Sequence, residues 1–225
     1  MPAPSENKKT RILIADDHEV VRQGVRNILE AHPGYELCGE ATNGREAVAI
    51  ADKHAPDLAI LDISMPELNG IDAARQILKS HPKTKILIFT VHDAERLVYE
   101  VVGAGAHGYV LKSDAGRQLV TAIESVLAGR HYFSPTVSEV LFDSFRQKGL
   151  PHTRQEDDPE SKPTAREREI IQLLAEGKSN KEVATSLGIS VKTAETHRAA
   201  IMRKLGIHSI GELVRYAIRN HLIEP

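Results

Sequence analysis

The sequence contains no tryptophan, a single cysteine and only 4% aromatic residues. With Cys38 alone, no internal disulfide can form, which suits a reducing compartment. The shortage of aromatics argues against a stacking platform for nucleic-acid bases. No apolar run approaches the roughly 20 residues that a membrane span requires. The opening stretch MPAPSENKKT lacks the apolar core of a secretory signal and reads as a short disordered lead. None of the 11 histidines stands at metal-ligand spacing with Cys38, so no zinc site is expected. No nucleophilic triad is legible either. The expectation is a cytoplasmic protein with no membrane association.

What is present is ordinary in amount and uneven in placement. Apolar residues make up 41% and charged residues 27% of the 225, as in a globular protein. Residues 1–130 carry 15 Lys and Arg against 18 Asp and Glu, and residues 163–225 carry 10 against 7. A basic C-terminal third behind an acidic N-terminal part is a weak pointer to nucleic acid.

Through residue 128, short apolar runs alternate with amphipathic stretches. The runs are RILIA (11–15), YELCGEA (35–41), DLAILD (57–62), KILIFT (85–90) and GYVLK (108–112). Between them, sets such as Val20, Val21, Val25, Ile28 and Leu29, or Leu119, Ala122, Ile123 and Val126, recur at helical spacing. Strands this apolar need cover on both faces, so the pattern predicts a doubly wound, five-stranded parallel α/β sheet of the flavodoxin-like kind over residues 10–128. A linker is predicted over 129–162, with a possible helix near 135–147 and a proline-rich acidic stretch from 149.

A small all-α unit of four helices is predicted over 163–225. Thr164 and Glu167 have capping-box spacing. Gly177 ends the first helix, and Asn180 is the expected cap of the second. A third helix, about Val191 to Leu205, follows the turn Gly188-Ile189-Ser190, and a fourth runs from about Ser209 to Asn220. Two short helices joined by a glycine turn have the form of a helix-turn-helix.

Ligands of a parallel α/β sheet gather at the carboxyl ends of its strands. There the sequence places Asp16 and Asp17, Asp62, Thr90 and Lys112. Three converging carboxylates suit a hard divalent cation such as Mg2+. On the third C-terminal helix, Ala194, His197, Ile201 and Leu205 share the face expected to meet the core. Lys192, Thr196, Ala199 and Arg203 lie opposite, flanked by Thr193 and Ala200. That outer face is short-chained and polar with basic ends, of a kind that enters a major groove. Lys178, Ser179, Asn180 and Lys181, at the start of the preceding helix, suit phosphate contacts.

The motifs ADDHEVVRQG (15–24), LDISMPELNG (61–70), FTVHD (89–93), AGAHGYVLK (104–112), TAREREI (164–170) and GKSNKEVATSLGISVKTAETH (177–197), in this order, resemble a two-component response regulator of the NarL/FixJ class. The resemblance covers a receiver domain and a LuxR-type helix-turn-helix. It implies Asp62 as phosphoacceptor, with Mg2+ held by Asp17, Asp62 and the Ser64 carbonyl, and by Asp16 through water. It implies that Lys112 contacts the acyl phosphate, and that Thr90 turns toward the phosphoryl group while Tyr109 swings inward. It also implies a sensor histidine kinase as phosphodonor, double-stranded DNA as target, a homodimer on phosphorylation or on DNA, and no enzyme activity beyond slow loss of the aspartyl phosphate. The DNA-contacting set is Lys178, Ser179, Asn180, Lys181, Lys192, Thr193, Thr196, His197, Arg198, Arg203 and Lys204, with His197 closer to a structural histidine than to a base reader. Regulation is expected to shift the chain between a masked and a released DNA-binding domain, or between monomer and dimer.

The chain departs from the family pattern in three places. Ser113 follows Lys112 where many receivers have proline, Ala194 stands for a usual Val, and Pro163 for a usual Leu. Two other α/β readings fit less well. An aspartyl phosphatase usually carries a second acid where Ser64 stands. An FMN binder wants a Ser, Thr and Gly-rich first loop where Asp16-Asp17-His18-Glu19 stands. A receiver working without phosphorylation is a third alternative, against which the complete acidic set argues.

Overall fold

The computed structural model describes residues 9–139 and 162–224. The N-terminal unit alternates strands and helices: β1 (Thr10–Ala15), α1 (Glu19–Glu30), β2 (Tyr35–Ala41), α2 (Gly44–His54), β3 (Leu58–Leu61), α3 (Gly70–Ser80), β4 (Lys85–Thr90), α4 (Glu95–Gly103), β5 (Gly108–Leu111) and α5 (Ala115–Leu127). A single 3-10 turn, Lys112–Asp114, joins β5 to α5. A short β6 (Tyr132–Phe133) follows. The sheet order is β2-β1-β3-β4-β5-β6, and every pairing is parallel.

The five expected strands are thus joined by a sixth at the edge, where Gly108 and Tyr109 pair with Tyr132 and Phe133. Two residues have no legible periodicity, and their strand exists only because β5 offers an open edge. Of the helix expected near 135–147, residues 135–139 are helical and the remainder lies outside the described residues, as does most of the expected linker.

Side chains of one strand alternate between two cores. Leu13 and Ala15, with Leu61, Ile86 and Ile88, face α2, α3 and α4. Ile12 and Ile14, with Ile60, Leu87 and Val110, face α1 and α5 through Val25, Leu29, Leu119 and Ile123. Both sheet faces are therefore covered at the centre of the sheet, which is why β3 is apolar throughout and β1 from Ile12 to its end, while the edge strand β2 admits Glu36 and Glu40. The strand order reverses direction between β1 and β3, and this opens a crevice at their carboxyl ends. Asp16 leaves β1 and Asp62 leaves β3 on the two sides of it.

The C-terminal unit comprises α6 (Ala165–Ala175), α7 (Asn180–Leu187), α8 (Val191–Leu205) and α9 (Ile210–Arg219). Ile170, Ile171, Leu173, Leu174, Val183, Ala194, Ile201 and Leu213 form its core. Thr164 and Glu167 make the expected capping box. The cap of α7 is one residue earlier than expected and forms a second capping box. Ser179, and not Asn180, caps α7, with Glu182 reaching back, because a cap hydroxyl pairs with an acid three positions on. Gly188 and Gly206 end α7 and α8 in the left-handed conformation, at φ 62° each, where a Cβ would be strained.

Candidate functional site

The crevice brings the acidic residues together. Asp16 and Asp62 are buried, at 1% and 3% exposure, whereas Asp17 faces solvent. Ligand atoms of Asp16, Asp17, His18 and Asp62 all lie within 4.8 Å of one another. The backbone fixes their positions: the Asp62 amide donates to the Ala15 carbonyl at 2.9 Å, and the Asp16 amide to that of Ala41. The His18 amide donates to Asp16 Oδ1 at 2.9 Å, and the His18 ring stands 2.8 Å from Asp17 Oδ1. His18 caps the start of α1 without a side-chain cap bond, so its ring belongs to the rim of the acidic group.

Lys112 crosses the crevice. Its ammonium is 2.8 Å from both Asp16 Oδ2 and Asp62 Oδ2. Asp62 Oδ1 accepts from the Ile63 amide at 2.7 Å. Burial pushes the Asp62 carboxyl above the usual carboxylate range, and the Asp16 charge adds to the rise. The Lys112 charge and its hydrogen bond, with one from Thr90, oppose it without cancelling it. Burial alone would lower Lys112, but the carboxylates of Asp62 and Asp16 outweigh it and hold the ammonium above its ordinary value. Two buried carboxylates thus share one ammonium, with the exposed Asp17 beside them on the His18 ring.

The donor set fits a hard divalent cation. Asp16 Oδ2 is buried and, although close to Lys112, is not aligned with it as a hydrogen bond. It keeps a lone pair free. Exposed Asp17 leaves room for water in the coordination sphere, as Mg2+ prefers.

Thr90 is fully buried at the end of β4, and its Oγ1 accepts from the His92 amide at 3.4 Å. Tyr109 was expected to swing inward on activation, yet its ring is already buried here. Its hydroxyl donates to the His92 carbonyl at 2.8 Å, and burial raises that phenol well above its ordinary value. The inward position is stable because this carbonyl satisfies the hydroxyl. The Ser64 side chain pairs with His92 Nε2 at 2.7 Å.

On α8, Ala194 and Ile201 are buried, and His197 and Leu205 are half-buried behind them. Lys192, Thr193, Thr196, Ala199 and Arg203 are exposed. The Lys192 side chain is 88% exposed, with Glu195 3.9 Å away in a solvent-facing pair that a polyanion can displace. Arg198 is half-buried and reaches Asn180 Oδ1 at 3.4 Å. Lys178 is half-buried, and Ser179 and Lys181 are exposed at the start of α7. Lys204 differs from the rest of the expected DNA set: its ammonium is engaged by Glu167 at 2.9 Å, within the helical unit. Sequence spacing put Lys204 near the basic end of α8, but the nearby α6 carboxylate was not legible.

Residues that the sequence did not single out join the two units. Arg168 on α6 donates from Nε and Nη2 to Asp72 on α3, and Gln172 binds Asn69 and Met65. Burial alone would raise Asp72, but hydrogen bonding and charge from Arg168, with Arg75, hold its carboxyl below the usual range. On a helix read alone, such polar residues look like a solvated face.

Comparison with known proteins agrees with this architecture. Residues 12–124 match the response regulator receiver domain, and residues 163–217 match the bacterial regulatory proteins of the luxR family. Oxygen regulatory protein NreC of Staphylococcus carnosus (strain TM300) is 40% identical over 215 residues, covering 95% of this chain and 99% of that protein. A solved structure of two RcsB dimers bound to two parallel DNAs is 26% identical, with a TM-score of 0.59 over 93% of this chain and 98% of the other. RcsB from Salmonella enterica serovar Typhimurium, bound to promoter P1flhDC in the presence of phosphomimetic BeF3−, is 25% identical, with a TM-score of 0.58 over 93% and 98%. No described helix is long and apolar enough to cross a membrane. An acidic crevice of receiver type, followed by a helix-turn-helix of luxR type and matched at full length by a named regulator, places this chain among the response regulators, as a DNA-binding transcription regulator of two-component systems.

Proposed function

We propose that this regulator works in the cytoplasm and is switched by phosphorylation of Asp62, with a sensor histidine kinase as donor and Mg2+ as cofactor. The observation that carries the reading is Lys112, whose ammonium lies 2.8 Å from both Asp62 and Asp16. An Asp62 oxygen attacks phosphorus, the bond from phosphorus to the donor nitrogen breaks, and the leaving imidazole takes a proton. Such a transfer needs positioning and charge neutralisation more than covalent help. Asp17, Asp62 and the Ser64 carbonyl would hold Mg2+, with Asp16 through water, and the ion would neutralise phosphoryl oxygens. Lys112 supplies a second, fixed positive charge. Thr90, and Tyr109 already packed inward on the His92 carbonyl, would repack the face formed by α4, β5 and α5.

Double-stranded DNA is the target, read by the exposed face of α8 and the start of α7, with homodimers meeting paired half-sites. The RcsB structures on DNA, one of them with a phosphomimetic, support this for a related protein. Footprinting a promoter library with and without phosphorylation tests it. Phosphorylation should strengthen a salt-sensitive sequence preference. Lys192→Ala should weaken all sites alike and reduce the salt slope by about 1, as loss of one phosphate contact does. Unchanged binding and slope for Lys192→Ala would remove this face from the DNA interface.

A further inference from the structure

The polar stripe of α6 grips the loop that follows the phosphoacceptor. Gln172 is fully buried although it lies on the outer side of its own helical unit. Its carbonyl oxygen accepts from the Asn69 amide at 2.9 Å and from Asn69 Nδ2 at 3.3 Å. Its amide nitrogen donates to the Met65 carbonyl at 2.8 Å and to Glu176 Oε1 at 2.9 Å. All four hydrogen-bonding positions of the side chain are therefore used. Glu176 Oε1 also accepts from the Glu67 amide at 2.9 Å. Three backbone groups of the 63–70 loop, at Met65, Glu67 and Asn69, are thus held by one helix of the other unit. Glu67 sits at φ 65°, a conformation that a non-glycine residue holds only when its surroundings fix it.

A flanking ion pair and a hydrogen bond extend the contact. Arg168 forks onto Asp72, and Glu169 accepts from Gln76 at 2.9 Å. At the mouth of the crevice, the C-terminal segment lies beside the same loop. Glu224 Oε1 is 3.7 Å from His92 Nε2, the nitrogen that pairs with Ser64. The His221 ring meets the His92 ring edge-on at 5.6 Å. Asp17 and Ser64 of the receiver and Glu176 and Glu224 of the helical unit line one shared cavity of about 330 Å3. Meanwhile Lys192, Thr196 and Arg203 stay exposed, so docking engages α6 and leaves the outer face of α8 uncovered.

We infer that the stripe Arg168–Gln172–Glu176, on α6 and its C-cap, is an intramolecular latch on the phosphoacceptor loop, and that it gates phosphoryl uptake. This rests on the reading of Asp62 as phosphoacceptor. The docked unit restrains the loop whose Ser64 carbonyl is to bind the cation. It also sets the carboxylates of Glu176 and Glu224 beside a mouth that must admit an anionic donor. Opening the latch frees the loop and withdraws both charges. By linkage, phosphorylation that reshapes the loop weakens the latch in return.

The test uses the full chain, native and with Arg168→Ala or Gln172→Ala. Both substitutions lie on α6 and touch none of Asp16, Asp17, Asp62 and Lys112. Hydrogen exchange at the Glu67 and Asn69 amides reports docking. Intact-protein mass after mixing with Mg2+ and acetyl phosphate reports uptake. In the variants, exchange should quicken and uptake should rise about 10-fold to the same plateau, the expectation if the native chain is open about a tenth of the time. Amides as protected in both variants as in the native chain would overturn the latch. Amides that open while uptake keeps its native rate would overturn the gate. If no chain takes up a phosphoryl group, or Asp62→Asn still does, the phosphoacceptor reading fails and the gate with it; faster exchange in the variants would then still establish the docking contact itself.

Discussion

Lys112→Ala should slow phosphoryl uptake by Asp62 about 100-fold, the usual cost of losing one preorganised charge aimed at a transition state. On the proposed reading, the lysine would act on both ends of the reaction. Before transfer it opposes the rise in the Asp62 carboxyl that burial and the Asp16 charge cause, and so favours the ionised form. A protonated Asp62 is no nucleophile. During transfer its ammonium, 2.8 Å from Asp62 Oδ2, faces the charge gathering on the phosphoryl oxygens. Single-turnover uptake from acetyl phosphate, followed by mass, reads the effect. Lys112→Arg keeps the charge but not the compact point geometry, and should fall between the two. A Lys112→Ala rate within a few-fold of native would show that the metal alone supplies the neutralisation.

Gly70→Ala should be the most damaging small substitution in the receiver. A Cβ at Gly70 would collide with the Asp62 carbonyl oxygen and come within 2.8 Å of its carbonyl carbon and 3.3 Å of Ile63 Cα. These are backbone atoms, which no rotamer change can move aside. The Gly70 amide also donates to the Ile63 carbonyl at 2.9 Å, closing the loop on itself. Relief therefore requires β3 or α3 to shift, at a cost of about 3 kcal/mol, the upper end for overpacking. Because the displaced atoms belong to Asp62, uptake should fall along with the melting temperature. Gly24→Ala is the control. It lies within α1 with nothing near its would-be Cβ, and should stabilise by about 0.5–1 kcal/mol. Equal melting temperatures for the two variants would refute the close-approach argument.

The fold was legible where burial dictates composition. Ile12, Leu13 and Ile14 are apolar without alternation because both faces of the sheet are covered, and that run ends at Asp16 because the sheet ends there. The acidic crevice followed from the same logic, since Asp16, Asp62, Thr90 and Lys112 each stand at or just beyond a strand end. Features that depend on partners distant in sequence were not legible. Tyr132 and Phe133 form a strand only beside β5. Lys204 reads as a free cation until Glu167 is beside it. Arg168, Gln172 and Glu176 follow helical spacing on a polar face, the pattern of a solvated surface. Only docking against Met65, Glu67, Asn69 and Asp72 turns them into a contact. Polar residues signal burial poorly because their preference for water is met equally well by a specific partner.

The central claim is that Asp62 accepts the phosphoryl group. Its most direct test is the intact mass of the native chain and of Asp62→Asn after incubation with Mg2+ and acetyl phosphate. The account predicts one phosphoryl adduct on the native chain, absent when Mg2+ is chelated before the donor is added, and none on Asp62→Asn. An adduct of equal extent on both chains, or none on the native chain with Mg2+ present, would contradict it.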